Sequence, residues 1–82
     1  MPKTIFTGAN QVVVEIVRKA RTDAGITQVE LARRLGRDQS HISLIERSQR
    51  RLDVVEFIEF AKAVGTDPVS LFKILTEKLE AE

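Results

Sequence analysis

The segment from residue 27 to residue 47 constrains the fold most, because it predicts two short helices joined by a turn of about three residues. Thr27 and Glu30 have the spacing of a capping box, in which the hydroxyl accepts a backbone N–H and the carboxylate bonds back to the cap. Gly36 is a suitable end for the first helix, and Asp38 is the expected N-cap of the second. Helices joined by so short a turn must cross steeply, as in a helix-turn-helix unit.

Apolar periodicity predicts three further helices around this unit. The first spans residues 10–24, the fourth begins at a capping box formed by Asp53 and Glu56, and the fifth begins at Asp67. No stretch alternates between apolar and polar residues for long enough to indicate a strand. The sequence therefore predicts an all-α fold of five helices.

The domain organisation follows from these helices. One domain is expected at residues 10–76, and its helix-turn-helix motif occupies residues 28–47. Residues 1–9 are expected to be an N-terminal arm. Residues 77–82 are expected to be a charged C-terminal tail that could fray, unless Leu79 extends the fifth helix.

Composition argues against several classes of protein. The chain has no Cys and a single His, so we expect no disulfide, no metal site and no cofactor. The longest apolar run, at residues 12–14, is far shorter than a membrane span, so we expect a cytoplasmic protein without membrane contact. His41 has no identifiable Ser or Asp partner and no Gly-rich loop cradles a phosphate, so an enzyme is not expected.

The middle of the chain is basic and its end is acidic. Residues 18–51 carry nine Lys or Arg and four acids, a net charge of +5. Residues 52–82 carry three Lys and seven acids, a net charge of −4. This asymmetry favours one face for a polyanion and another that points away from it. From charge alone, an ordinary solvated surface is the alternative.

The segment ITQVELARRLGRDQSHISLIER resembles the helix-turn-helix of the Cro and phage-repressor family, also called the xenobiotic-response-element (XRE) family. ARTDAGITQ before it and RRLDVVEFIEFAKAVGTDPVSL after it resemble the same family, so the resemblance covers about residues 12–75. It implies a lambda-repressor-like domain that binds double-stranded DNA and places its third helix in the major groove. It also implies a homodimeric transcriptional repressor of a prokaryote or phage, associated with the nucleoid.

The resemblance also implies roles for individual residues. The positions that contact bases are Gln39, Ser40, Leu44 and His41, and a Gln amide can pair with adenine through two hydrogen bonds. His41 could instead be unengaged surface, or touch a phosphate as Ser43 could. The positions that contact the DNA backbone are Thr27, Gln28, Ser43, Arg37, Arg47, Arg50 and Arg51. Arg33 and Arg34 are either solubilising charges or distal phosphate contacts.

Two positions have an implied structural role. Arg21 and Glu46 match a family pair that forms a largely buried ion pair. Ser48 stands where the family usually has Gly, just past the third helix. A non-Gly residue at positive φ costs roughly 1–2 kcal/mol, so either this turn takes another conformation or the fold tolerates the strain.

The candidate dimer interface is the apolar part of the fifth helix, formed by Phe72, Ile74, Leu75 and Leu79. An alternative function uses the same fold as a protein-interaction module, such as the DNA-binding antitoxin of a toxin–antitoxin pair. In that case the fifth helix or the N-terminal arm would bind a different protein.

Overall fold

The structure is a computed structural model, and it describes residues 8–81. Over this range the chain forms five α-helices and no strand, which confirms the predicted fold class. Most of the predicted arm, residues 1–7, lies outside the described residues, as does residue 82. The helices are α1 (Ala9–Asp23), α2 (Gln28–Leu35), α3 (Gln39–Glu46), α4 (Val54–Ala63) and α5 (Pro68–Ala81).

A single core joins all five helices. α1 packs against α3, α4 and α5, while α2 packs against α3 and α4. The most deeply buried large side chains are Val17 of α1, Leu31 of α2, and Ile42 and Ile45 of α3. Because Ile42 and Ile45 lie on one face of α3, burying them leaves the opposite face of that helix outside the core. No helix in residues 8–81 is long and apolar enough to cross a membrane.

The start of α2 differs in part from its prediction. Thr27 Oγ1 accepts a hydrogen bond from the Glu30 backbone N–H at 3.1 Å, as expected of an N-cap. The Glu30 carboxylate does not complete a capping box, because the guanidinium groups of Arg33 and Arg34 compete for it from the next turn. Hydrogen bonds from Arg33 and then Arg34 lower the pKa of Glu30 to about 2. Arg34 also donates to the Ala63 carbonyl at 2.7 Å, which ties α2 to the end of α4.

The helix ends before α5 share one hydrogen-bonding pattern, the Schellman motif. After α3, the N–H of Gln49 donates to the Leu44 carbonyl at 2.9 Å, and the N–H of Ser48 donates to the Ile45 carbonyl at 3.0 Å. The residue in the left-handed conformation is a glycine after α1, α2 and α4, but after α3 it is Ser48, with a φ of 60°. The turn therefore keeps the usual geometry, and the fold tolerates the strain.

Ser48 has compensating contacts that a glycine would lack. The residue is buried, and its Oγ accepts a hydrogen bond from Asn10 Nδ2 at 2.7 Å. This bond connects the first turn of α1 to the turn that follows α3. Backbone strain at this position is thus offset by a side-chain contact between two helices that are distant in sequence.

The C-terminal part differs from its prediction at two points. The segment expected to be a tail is helical as far as Ala81. Leu79 lies half-buried against the core, and this packing favours continuation of α5 through the segment. Leu75, which was expected at a dimer interface, is only 6% exposed and belongs to the core, although it also lines a groove between α4 and α5.

Strain at Ser48 predicts a difference between two variants. Ser48→Ala and Ser48→Gly both remove the hydroxyl that Asn10 binds, so they differ mainly in the cost of a Cβ at a φ of 60°. We expect Ser48→Gly to be more stable than Ser48→Ala by about 1 kcal/mol. Urea unfolding with an unchanged m-value measures this difference. Equal stabilities would contradict a left-handed residue at this turn.

Candidate nucleic-acid interface

A buried ion pair connects α1 to the end of α3. Arg21 Nε donates to Glu46 Oε2 at 2.6 Å, and Arg21 Nη2 donates to Glu46 Oε1 at 2.9 Å. The Arg21 side chain is 12% exposed and the Glu46 side chain 2% exposed. Arg21 Nη1 also donates to the Ile26 carbonyl at 2.8 Å, just before α2. One guanidinium therefore holds α1, the end of α3 and the approach to α2 together.

The same carboxylate begins a chain of hydrogen bonds that leads to the surface. Gln28 Nε2 donates to Glu46 Oε1 at 2.9 Å, and Gln28 Oε1 accepts from Gln39 Nε2 at 3.3 Å. Because an ionised carboxylate can only accept, it requires the NH₂ group of Gln28 to face it and the carbonyl to face Gln39. The bond from Gln39 Nε2 to Gln28 Oε1 orients the Gln39 amide in turn. Its Oε1 and its second N–H are then available to hydrogen-bond another molecule.

The outer face of α3 offers a row of polar and apolar groups. Gln39 and Ser40 are exposed at its N-terminal end, and Ser43 and Leu44 are half-buried one turn later. The four side chains do not share the core-facing side with Ile42. This helix face carries three of the four positions expected to contact bases.

The fourth expected base contact, His41, is placed differently. Its ring is 17% exposed, and its Nε2 lies 3.2 Å from Glu56 Oε2. Its Nδ1 accepts a hydrogen bond from Arg50 Nε at 3.3 Å. His41 is therefore neither solitary nor unengaged, because α4 and the segment after α3 supply a partner for each ring nitrogen.

The arginines expected to contact the DNA backbone fall into two groups. Arg37, Arg47 and Arg51 are exposed around α3, at the turn before it and in the segment after it. Arg50 is half-buried, and its Nη2 donates to Glu56 Oε2 at 2.9 Å. Arg33 and Arg34, by contrast, are both bonded to Glu30 on the outer side of α2.

Glu56 and Asn10 are the residues that sequence analysis missed. For Glu56 the spacing from Asp53 indicated a capping box, which is present, but not the additional bonds to His41 and Arg50. No local pattern could have shown them, because three separate segments meet at this carboxylate. In residues 8–81 no group of three or more His, Cys, Asp or Glu side chains is arranged to hold a metal ion.

The fold has five helices, a helix-turn-helix motif and an exposed face on the second helix of that motif. Together these features define the class of helix-turn-helix DNA-binding proteins. The helix-turn-helix family profile matches residues 17–76, more than half of the chain, and the chain belongs to this family. It is a Cro-type (XRE) DNA-binding protein of the transcriptional-regulator class.

Known relatives of two kinds resemble this chain. HTH-type transcriptional regulator y4dJ of Sinorhizobium fredii, itself uncharacterized, is 36% identical over 53 residues, which are 65% of this chain and 69% of the relative. A solved XRE-family like protein from Pseudomonas syringae pv. tomato is 47% identical, with a TM-score of 0.82 and 92% of both chains covered. The restriction-modification controller protein C.Esp1396I, solved as a tetramer with its natural 35 base-pair operator, is 27% identical to this chain. Its TM-score is 0.78, and the match covers 89% of this chain and 96% of that chain.

The buried ion pair predicts a large effect on stability. Glu46→Gln keeps the shape of the side chain but leaves the Arg21 charge without its counterion. We expect the free energy of unfolding to fall by about 3–5 kcal/mol, measured by urea denaturation. The double variant Arg21→Met/Glu46→Leu removes both charges and should be more stable than Glu46→Gln alone. A loss below about 1 kcal/mol, as for an exposed pair, would contradict the burial.

Proposed function

We propose that this protein is a homodimeric transcriptional repressor that inserts α3 into the major groove of a two-fold related operator. The observation that carries the proposal is the orientation of Gln39, which the bond to Gln28 holds at the exposed start of α3. Exposed arginines flank this helix on both sides. Where such an operator overlaps a promoter, the bound dimer blocks transcription.

Base recognition is assigned to the outer face of α3. The free Oε1 and N–H of Gln39 match the N6 donor and N7 acceptor of adenine, a pair worth about 1–3 kcal/mol of discrimination. Ser40 is able to donate to or accept from a base edge. Leu44 has no hydrogen bond to offer, so its role is either to contact the methyl group of a thymine or to exclude water. His41 is not assigned a hydrogen bond to a base, because both ring nitrogens have protein partners.

Backbone contacts are assigned to groups on both sides of α3. Thr27 and Gln28 stand at the N-terminus of α2, where the helix dipole and first-turn N–H groups favour a phosphate. Ser43 and the four arginines form the remaining contacts, which position the protein without distinguishing sequence. These arginines are Arg37, Arg47, Arg50 and Arg51.

A groove between α4 and α5 is the proposed dimer interface. Phe72 is 51% exposed and packs edge-to-face on Phe57, with ring centroids 5.9 Å apart. Among residues 8–81, Asp53 is the only charged residue that lines this groove, and depletion of charge is typical of the centre of a homodimer interface. Exposed or half-buried apolar side chains surround Phe72, namely Val13, Leu52, Val54, Ile58 and Val69.

Ile74 was expected in the same interface as Phe72 but lies elsewhere. Residues two apart on a helix point in nearly opposite directions. Ile74 borders a different groove, between α1 and α5, whose lining includes the charged residues Glu15, Lys19, Asp23 and Lys78. One two-fold interface is therefore not expected to use both residues, and the α4–α5 groove is the more apolar of the two.

Gln39→Ala tests base recognition. An operator is first selected from a pool of random duplex DNA, and binding is then measured by fluorescence anisotropy over a range of salt concentrations. We expect discrimination at one base pair to fall by about 1–3 kcal/mol, while affinity for unselected duplex is retained. Affinity of the wild type should decrease steeply with salt.

Gln11→Ala is the matched control, because Gln11 is an exposed amide outside the helix-turn-helix. It should leave both affinity and discrimination unchanged. Wild-type binding that ignored salt, or an equal loss of affinity for every sequence on Gln39→Ala, would overturn the proposed mode of recognition.

Phe72→Lys tests the dimer interface. The change places a charge in the α4–α5 groove, so we expect the dimer dissociation constant to rise at least about tenfold in analytical ultracentrifugation. Ile74→Lys makes the same change at a residue 46% exposed on the other side of α5, and should leave the constant unchanged. The opposite result, or a wild type that is monomeric with and without operator DNA, would contradict this interface.

A further inference from the structure

One carboxylate connects three segments beside the outer face of α3. Glu56 Oε1 accepts the Asp53 backbone N–H at 3.0 Å and so caps α4. Glu56 Oε2 accepts from Arg50 Nη2 at 2.9 Å and lies 3.2 Å from His41 Nε2. The Glu56 side chain is only 8% exposed, so its two oxygens are fixed by protein groups and not by solvent.

We propose that Glu56 is a positioning residue for DNA binding, which acts by holding the Arg50 guanidinium ready to contact a phosphate. The proposal rests on the function proposed above and adds a residue to it. Arginine has five N–H donors, and Glu56 and His41 engage only Nε and Nη2. The Arg50 side chain is still 40% exposed, so donors remain for an anion outside the protein.

His41 serves as the second support of Arg50. Its Nδ1 accepts a hydrogen bond from Arg50 Nε, and its Nε2 lies 3.2 Å from Glu56 Oε2. The carboxylate, the imidazole and the guanidinium thus form a triangle of close polar contacts, two of which are hydrogen bonds donated by Arg50. Such an arrangement fixes the Arg50 side chain before DNA arrives, which reduces the conformational entropy lost on binding.

The triangle lies where DNA is expected. Arg50 and His41 line the same surface recess as Arg37, Ser40 and Leu44. A guanidinium held in this recess is beside the proposed base-contacting face of α3. The phosphate contact of Arg50 would therefore set the depth and the angle at which α3 enters the groove.

A carboxylate without a positioning role would have the opposite effect. Its negative charge would repel the phosphates, so removing it would strengthen DNA binding. The sign of the change in affinity on removing this charge therefore distinguishes the two roles.

Glu56→Gln is the test variant, because the amide keeps an oxygen that can cap α4 but cannot accept from Arg50 and His41 in the same way. We expect affinity for a duplex selected from a random pool to fall roughly two- to tenfold, the cost of ordering one long side chain on binding. Glu59→Gln is the matched control, since Glu59 is an exposed carboxylate on the same helix. It should bind the same duplex as tightly as the wild type or more tightly.

A double-mutant cycle shows whether Glu56 acts through Arg50. In an Arg50→Ala background, Glu56→Gln should cause no further loss of affinity, whereas independent roles would give additive losses. The slope of log affinity against log salt should be shallower by about 1 in Arg50→Ala. Affinities are compared at a temperature where circular dichroism shows each variant fully folded.

The outcomes separate this proposal from the function on which it rests. A wild type that binds no duplex from the pool overturns the proposed function. If the wild type binds in a salt-dependent way, the proposed function stands. In that case, unchanged or tighter binding by Glu56→Gln overturns only the positioning role, and so does an additive double-mutant cycle.

Discussion

The fold and the candidate site both depend on the buried contact between Arg21 and Glu46. Two charges removed from water must satisfy each other, and the short bidentate geometry does so. The ion pair also fixes the orientation of neighbouring amide side chains. Because Glu46 can only accept hydrogen bonds, it determines which way the Gln28 amide turns, and through it the Gln39 amide. A core contact thereby determines which hydrogen-bonding groups the surface of α3 presents.

The two buried carboxylates, Glu46 and Glu56, orient side chains on different parts of the α3 surface. Glu46 acts toward the N-terminal end of the helix, where Gln39 is proposed to contact a base. Glu56 holds Arg50 and His41 on the neighbouring side, where a backbone contact is proposed. In both cases a group fixed within the fold restricts a long side chain that would otherwise be mobile. In the proposed binding mode, rigid presentation of this kind lets a short helix of eight residues contribute to affinity without a large loss of entropy.

Local patterns in the sequence were sufficient for the helices, because apolar periodicity and helix-end signals act within a few residues. The inward faces of α2 and α3 follow from this periodicity, as Leu31 and Ile42 show. Contacts between distant segments could not be predicted from local patterns, and the Arg21–Glu46 pair was expected only because of the resemblance to the family. The incomplete capping box at Glu30 has a local cause, because an arginine of the same helix bonds to the carboxylate. The partners of His41, by contrast, come from α4 and from the segment after α3. The burial of Leu75 likewise depends on how α5 packs against the core.

The recess beside α3 and the α4–α5 groove have no residue in common. Substitutions that alter which bases are preferred therefore need not disturb the proposed contact between protomers, and changes in that contact need not alter the preferred half-site. During divergence, one chain architecture could acquire new operator sequences and new half-site spacings as independent steps. Related regulators in the same cell could then avoid each other's operators through changes at a few helix positions, while their subunit pairing stayed the same.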